Sequence, residues 1–366
     1  MMARMRTGIG QEPAAMPTTS GDSPGDTGEP PLPKDMPGTP LAKPGPKAQD
    51  RFALIGSRFG LIITWGLMIL VFSLLMPGVF LSGSNIGYIL SSQATVLIVA
   101  IAVTIPMAAG EYDLSSSGVV VITVVAVGYL NVVQQWPLLP TVLVALAIGL
   151  VVGCTNAFFI VRIGISSLIV TLAMTSVLVG LALGLNNLTV TGISVDLIDA
   201  ARSTVGGVQL VFFYALAAVV VAWYVFQHTP IGRSLYFTGA GREVARLSGV
   251  PVDTIRAGSL IVSGLLGAVA AVLLAGVLGS ADPNVGSSYA LAPFAAAMLG
   301  STSFTPGRFN ILGTTVATYF LATGITGLQL LGLAGWVTQV FYGAALILGV
   351  ALSTYAARRN GRAPRA

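Results

Sequence analysis

The pattern of hydrophobic and polar positions divides the chain after Arg58 into ten long apolar segments with short polar stretches between them. Most segments approach the roughly 20 residues that an α-helix needs to cross a hydrocarbon core. They are continuously apolar, whereas strands of a membrane β-barrel alternate apolar and polar positions. The sequence predicts an all-α, polytopic membrane protein of about ten transmembrane helices, at 59–76, 86–109, 115–133, 138–160, 165–185, 208–226, 257–279, 288–304, 309–329 and 335–355.

The composition agrees with this pattern and excludes a soluble protein. Only 8% of the residues are charged and 54% are hydrophobic, whereas a soluble domain carries roughly a quarter charged residues. The net charge of +5 does not indicate nucleic-acid binding, because no basic stripe with interleaved aromatic residues is present. With one Cys and one His, we expect no metal site, disulfide framework or Cys–His catalytic pair.

Composition also divides the chain into three predicted parts. Residues 1–50 are rich in Pro, Gly, Ser and Asp and lack apolar periodicity, which predicts a disordered tail. Residues 51–357 form the predicted transmembrane domain, and residues 358–366 form a short basic tail.

The distribution of Lys and Arg predicts the orientation of the chain. With ten crossings and a cytoplasmic N-terminus, 17 of the 18 Lys and Arg residues fall on the cytoplasmic side, and Arg202 is the exception. Membrane proteins retain positive charge on that side. We therefore expect both termini to be cytoplasmic.

Pairs of small residues spaced four apart occur inside or at the ends of several apolar segments. Because small residues let helix backbones approach closely in lipid, such pairs predict helix–helix contacts. The pairs are Gly149 and Gly153, Gly180 and Gly184, Gly264 and Ala268, and Gly276 and Ser280.

The polar segment 227–256 contains a predicted short helix at 241–248. Gly249 suits the position that follows a helix C-terminus, and Pro251 prevents the helix from continuing. Val244 and Leu247 fall on one face of this helix. Such a short amphipathic helix can dock in a groove of a partner protein, and an interfacial helix held by lipid headgroups fits the pattern equally.

A second polar stretch, 110–118, lies between the second and third apolar segments. Asp113 can cap the following helix by accepting its free N–H groups, which we favour over direct substrate contact. Glu111 is an acid between long apolar runs, which is typical of a translocation pathway. It could equally lie in headgroup water.

The stretch TGAGREVARLSGVPVDTIR, with the glycine-rich segments after it, closely resembles the permease subunits of ribose-type ABC importers. The likeness covers most of 59–355. The turn at 110–118 is similar to the family's Gly-Gly-Ile-Asp-Leu-Ser-Val-Gly signature, although Glu111 and Tyr112 depart from its commonest form. The turn at 300–308 is similar to the family's Gly-Gly-Thr-Ser turn.

This resemblance implies a permease subunit that translocates a small sugar or polyol. The implied partners are an ABC ATP-binding subunit, an extracytoplasmic substrate-binding protein and a second permease copy or paralogue in a dimeric pore. It implies no catalytic residue and no cofactor on this chain, because ATP and Mg²⁺ bind to the partner ATPase.

The resemblance also assigns candidate site residues. It makes 239–249 the coupling helix that sits in a cleft of the ATP-binding subunit, with candidate residues Gly239, Gly241, Arg242, Glu243, Ala245, Arg246, Ser248 and Gly249. The candidates for the translocation pathway or for helix capping are Glu111, Tyr112, Asp113, Ser115, Thr302 and Ser303.

Two other classes of membrane protein fit less well. An ion-coupled secondary transporter usually needs carboxylates or His inside the bundle, whereas the acids here cluster at the predicted ends of the spans. An intramembrane enzyme would be expected to carry a motif such as GxSxG or HExxH inside the membrane, and the predicted transmembrane domain, residues 51–357, contains neither.

Overall fold

The computed structural model describes residues 48–333 and 335–359. The predicted N-terminal tail lies outside this range except for residues 48–50, and so does most of the predicted basic tail. The helices are α1 (Ala48–Leu75), α2 (Gly83–Ser92), α3 (Ala94–Ala108), α4 (Ser116–Gly128), α5 (Leu138–Ala157), α6 (Ser167–Leu185), α7 (Val195–Arg202), α8 (Leu210–His228), α9 (Pro230–Ala240), α10 (Arg242–Leu247), α11 (Val252–Leu278), α12 (Gly286–Gly300), α13 (Ile311–Leu330) and α14 (Trp336–Arg359). Two π-helical turns, Tyr129–Val133 and Phe158–Ile163, extend α4 and α5, and a 3₁₀ turn, Pro283–Val285, precedes α12.

Each of the ten predicted apolar segments overlaps a described helix. Within the described range, seven helical segments are long and apolar enough to cross a membrane, one of them formed by α2 and α3 together. The remaining segments are shorter: the apolar parts of α1 and α14, Phe59–Leu75 and Trp336–Leu352, and α12 with 15 residues. The chain is therefore a mostly helical, polytopic membrane protein.

Helices α3 and α4 form a central hairpin in which every residue of both helices is buried. Helix α11 packs against both of them, and α8, α12 and α13 also pack against α3. By contrast, less than a third of the residues in the most apolar part of α5, α6 and α8 are buried. Helices that are apolar on all sides belong in a core or in lipid, so these three form a lipid-facing outer layer.

Small residues mediate the crossing of α5 and α11, as their spacing predicts. A Cβ added at Gly264 would collide with the carbonyl oxygen of Gly149, and one added at Gly153 would lie 2.7 Å from Ile261 Cα. Gly180 and Gly184 have no such partner among the described residues, because no atom of another helix lies within 4 Å of a Cβ added at either position. A helix contact at this pair stays a prediction.

Short strands are a small departure from the all-α expectation. Strand β1 (Val190–Thr191) pairs antiparallel with β4 (Ser280–Ala281), and β2 (Thr204–Val205) pairs antiparallel with β3 (Val208–Gln209). The first pair joins the polar segments that follow α6 and α11, and Arg202 of the intervening α7 donates to the Val277 carbonyl at 2.7 Å. These contacts organise the end of α11 that is remote from α10.

The substitution Gly264→Ala tests the helix crossing. We expect it to lower the melting temperature of the detergent-solubilised protein, because the backbone carbonyl of Gly149 cannot rotate away and overpacking costs about 1–3 kcal/mol. Gly258→Ala is the matched control on the same helix, since nothing lies within 4 Å of its added Cβ. Equal melting temperatures for the two variants would contradict the proposed crossing.

Candidate functional site

Helices α9 and α10 form a compact unit between the long helices α8 and α11. The Thr229 hydroxyl accepts the N–H of Gly232 and caps α9, with Pro230 in the first turn. Gly241 is extended (φ 175°, ψ 107°) and separates the two helices. A single helix over 239–249 is therefore the wrong boundary: Gly239 and Ala240 belong to α9.

Helix α10 ends because of the glycine that follows it, as the sequence predicts. Gly249 has φ +81° and donates its N–H to Arg246 O at 3.0 Å, while Val250 donates to Ala245 O at 3.0 Å. This pair of bonds is the Schellman motif, which satisfies the last carbonyls of a helix. Helix α10 therefore ends within one residue of the predicted boundary.

Helix α10 packs against the rest of the bundle with one small buried residue, and its larger apolar side chains are exposed. Ala245 is buried, whereas Val244 and Leu247 are 68% and 90% exposed. Glu243, Arg246 and Ser248 are also exposed. The face predicted from sequence therefore exists, and it is not covered by the described part of the chain.

Helix α9 contacts the end of the central helix α3 through Gly239. A Cβ added at Gly239 would collide with the carbonyl oxygen of Ala108, and it would lie 3.3 Å from Gly110 N. Gly239 thus permits a close approach of the backbones of α9 and the end of α3. It contributes to packing and is not part of the exposed face of α10.

Glu111 lies at the junction of three elements. Helix α3 ends at Ala108, Gly110 follows with φ +80°, and Glu111 N donates to Pro106 O at 2.9 Å. The Glu111 carboxylate, which is only 3% exposed, accepts from Arg242 Nη2 at 2.7 Å and from Arg256 Nε at 2.5 Å. Arg242 Nη2 also donates to Gly110 O at 3.1 Å.

These contacts correct one expectation for Glu111. The side chain does not lie in headgroup water; it joins the α3–α4 turn to α10 and α11 as a buried ion pair. A role in the translocation pathway stays a prediction. We call Glu111, Arg242 and Arg256 the ion-pair network.

A second, exposed ion pair lies beside the network. Arg246 Nη2 is 3.0 Å from Asp253 Oδ1, and both side chains are more than half exposed. Arg256 Nη1 is 3.7 Å from the same oxygen. Exposed pairs contribute little to stability because water screens them, so Arg246 and Arg242 differ in environment although they lie on the same short helix.

Asp113 is fully buried two residues after Glu111 and has a different environment. Its Oδ1 accepts from Ser115 N at 3.0 Å and from Ser115 Oγ at 2.5 Å, and Asn156 Nδ2 donates to Ser115 Oγ at 2.7 Å. Burial raises the pKa of Asp113, and the serine hydrogen bonds oppose this only in part. The N–H that Asp113 accepts belongs to Ser115, the residue directly before α4, and not to the first turn of the helix. Capping of α4 by Asp113 stays a prediction.

Tyr112 connects the same turn to α6 through its backbone. Its N–H donates to Ser167 Oγ at 3.1 Å, and its carbonyl accepts from Thr171 Oγ1 at 3.2 Å. The Tyr112 ring itself is exposed. Sequence reasoning missed Ser167, Thr171 and Asn156, because hydroxyl and amide residues inside apolar helices carry no local signal of their partner.

Thr302 and Ser303 lie in the turn after α12, which Asn310 holds together. Asn310 Nδ2 donates to Ser303 O at 3.0 Å and to Gly300 O at 3.3 Å, while its Oδ1 accepts from Gly313 N at 2.7 Å. Asn310 is therefore the N-cap of α13. The sequence did carry this signal, because Asn before an apolar helix is a favoured N-cap. Thr302 Oγ1 donates to Leu299 O at 2.6 Å, at the C-terminal end of α12.

Helix α9 contacts this second turn as well as the first. Tyr236 OH donates to Phe309 O at 2.8 Å, and the Arg308 guanidinium lies 5.5 Å from the centre of the Tyr236 ring. Burial raises the pKa of Tyr236 to about 12, so its hydroxyl remains a donor at neutral pH. Both glycine-rich turns thus meet α9 at one end of the bundle.

A cavity of about 270 Å³ lies elsewhere, between α1, α2 and α13, where it is lined by side chains such as Trp65, Phe80 and Ile89. Its walls are almost entirely apolar, so it does not suit a polar solute. Among the residues that the structure describes, no group of three or more His, Cys, Asp or Glu side chains could hold a metal ion.

Comparison with known proteins gives the chain a context. The model of a family described as "Branched-chain amino acid transport system / permease component" matches residues 85–350. The chain is 30% identical over 301 residues to the ribose import permease protein of Bacillus subtilis, covering 81% of this chain and 92% of that protein.

Two further relatives are similar over comparable lengths. The autoinducer 2 import system permease protein of Photorhabdus luminescens is 26% identical, with 81% of this chain and 92% of that protein covered. The D-allose transport system permease protein of Escherichia coli is 24% identical, with coverages of 84% and 94%. No solved structure matches the chain significantly.

Substitutions at Asp113 test its structural role. We expect Asp113→Asn to keep a melting temperature close to that of the wild type, because the amide oxygen can still accept from Ser115. Asp113→Ala should lower the melting temperature, since the buried Ser115 N–H then lacks this acceptor at a cost of about 1–3 kcal/mol. Equal losses in both variants would contradict the capping role.

The raised pKa of Asp113 also predicts how the stability of the folded protein changes with pH. Because the folded-state pKa of Asp113 lies above the ordinary value of 3.8, the folded protein binds this proton more tightly than the unfolded chain does. Wild-type stability should therefore fall as the pH rises from 3.8 toward the raised pKa, and Asp113→Asn should remove that contribution.

Proposed function

This chain belongs to the family of branched-chain amino acid transport system permease components, and we propose that its cargo is a small sugar or polyol. As a member of that family it is the multi-pass, inner-membrane permease subunit of an ABC importer. It is a transport subunit and not an enzyme, because ATP hydrolysis belongs to a partner subunit. The family works with an ATPase and a binding protein.

The proposed cargo rests on the relatives. Those reported above are named for ribose, D-allose and autoinducer 2, and the ribose permease is 30% identical over most of both chains. We further propose that an extracytoplasmic binding protein delivers the cargo. No cofactor is expected on this chain, with ATP and Mg²⁺ bound by the partner.

The observation that supports a docking site for the ATPase is the exposed face of α10. Val244 and Leu247 are apolar, adjacent and largely exposed, on a helix fixed at Ala245 and ended by Gly249. Such a face suits a groove on a partner protein. In this proposal Glu243, Arg246 and Ser248 form the polar rim of the contact, while Gly241 and Gly249 set the bounds of the helix.

We also propose that two permease chains, either two copies or this chain and a paralogue, form the pore. The support is the resemblance of the chain to permease subunits of ABC importers, which implies a dimeric pore. The cavity between α1, α2 and α13 is apolar and does not by itself offer a path for a polar solute.

The proposed topology has ten crossings with both termini in the cytoplasm, together with the tails at 1–50 and 358–366. The support is the distribution of Lys and Arg, 17 of 18 on one side. In this arrangement α9 and α10 are cytoplasmic, and the segment that contains α7 is extracytoplasmic.

Reporter fusions test the topology. Alkaline phosphatase fused after Ile193 should be active and a fluorescent protein at the same position dark, because this site is predicted to be extracytoplasmic. The same two reporters fused after Gly249 serve as the matched control and should give the opposite result. A cytoplasmic reporter signal after Ile193 would contradict the topology.

Reconstitution tests the function. Proteoliposomes that contain this chain, its ATPase and its binding protein should accumulate labelled ribose or a related sugar in the presence of ATP, and not leucine. Leu247→Asp should reduce uptake and the amount of co-purified ATPase by about tenfold, because it places a charge in an apolar contact. Val195→Asp, at an exposed apolar position on α7, is the control and should behave like the wild type. ATP-independent uptake, or uptake of leucine alone, would refute the proposal.

A further inference from the structure

The buried carboxylate of Glu111 is where the surface helix α10 meets the interior of the protein. Among the described residues, the ion pair from α10 to the central hairpin is the one between Arg242 and Glu111, at 2.7 Å. Arg242 also donates to the Gly110 carbonyl in the same turn. One side chain of α10 is therefore bonded to both the side chain and the backbone of the α3–α4 turn.

That turn connects the two most buried helices of the chain. Every residue of α3 and α4 is buried, and close-packed interiors transmit displacement because they have little free volume. The turn is also tied to α11, since Arg256 Nε donates to the same Glu111 oxygen at 2.5 Å. A displacement of Arg242 thus acts on α3, α4 and α11 together.

The neighbouring ion pair on α10 lacks these properties. Arg246 contacts Asp253, which lies near the start of α11, and both side chains are more than half exposed. Water screens such a pair and leaves its partners free to separate. In the ion-pair network the Arg242 side chain is 45% exposed, but the carboxylate that it contacts is only 3% exposed and the second arginine, Arg256, is 11% exposed.

We propose that Glu111 and Arg242 are positioning residues that transmit movement of α10 to the central hairpin of the permease. This inference rests on the proposed function, in which an ATPase docks on α10. The apolar face of α10 receives the ATPase, and the ion-pair network carries the resulting displacement to α3, α4 and α11. Docking and transmission are therefore assigned to different residues of the same helix.

The experiment compares Arg242→Gln with Arg233→Gln in the complete transporter with its ATPase and binding protein. Both variants remove one positive charge from the unit of α9 and α10, but Arg233 is exposed on α9 and belongs neither to the ion-pair network nor to the proposed ATPase contact. We expect Arg242→Gln to reduce the sugar transported per ATP hydrolysed by about tenfold, with normal co-purification of the ATPase. Arg233→Gln should change this ratio by less than about twofold.

The ratio of transport to hydrolysis separates transmission from folding. A loss of folded protein lowers transport and ATPase stimulation together and leaves their ratio unchanged. Folding should survive in Arg242→Gln, because Glu111 retains Arg256 as a partner. If Arg242→Gln cannot be purified, Arg242→Lys decides the question. Lysine keeps the positive charge but lacks the several N–H donors of the guanidinium, so the ratio should still fall below that of the Arg233→Lys control.

A double-mutant cycle tests whether Glu111 and Arg242 act through their mutual contact. Glu111→Gln combined with Arg242→Gln should lower the ratio no further than the more severe single substitution, because both remove the same contact. Glu111→Gln combined with Arg233→Gln should show independent effects.

Equal ratios for Arg242→Gln and Arg233→Gln, or independent effects of Glu111→Gln and Arg242→Gln, would overturn the inference. Either result leaves the proposed function intact if the wild-type transporter shows ATP-driven uptake. Failure of the wild-type transporter to bind an ATPase or to transport would refute the proposed function itself.

Discussion

Hydrocarbon cannot satisfy backbone polar groups, and this constraint decides where the chain turns as well as what its helices contain. The turn between the fully buried helices α3 and α4 must satisfy its own N–H and C=O groups. It does so with a positive-φ glycine at Gly110, a carboxylate at Asp113 that accepts the Ser115 N–H, and hydroxyl contacts from α6. Gly249 ends α10 and Asn310 starts α13 by related means. Polar chemistry is therefore concentrated at helix ends, and the candidate site occupies one of them.

The two carboxylates of the α3–α4 turn show how environment separates residues of the same class. Glu111 is buried but paired with two arginines, which offsets the cost of removing its charge from water. Asp113 is buried among hydroxyl and amide groups, and burial raises its pKa. Glu111 therefore connects distant elements through charge, whereas Asp113 accepts hydrogen bonds from Ser115, directly before α4.

Helices α9 and α10 connect the surface of the protein to its interior. Helix α9 contacts both glycine-rich turns, through Gly239 at the first and Tyr236 at the second. Helix α10 adds the ion pair to Glu111 and leaves its apolar face exposed. A partner that binds α10 therefore acts on a unit already joined to both turns, which is the arrangement that a subunit driven from outside its own chain requires.

The sequence by itself determined the membrane-spanning character, the ten apolar segments, and the short helix that ends before Gly249. The length of an apolar segment and the glycine or proline residues that end a helix act over a few neighbouring residues, so they can be recognised from the sequence. The capping of α13 by Asn310 also depends only on neighbouring residues. Tertiary structure alone decided that Gly264 packs against another backbone while Gly180, with the same small-residue spacing, meets no other helix in the part of the chain that the structure describes. It also decided that Glu111 pairs with Arg242, 131 residues away. Such a pair depends on which helix ends meet, and that is set by the packing of the whole bundle rather than by the residues on either side of each partner.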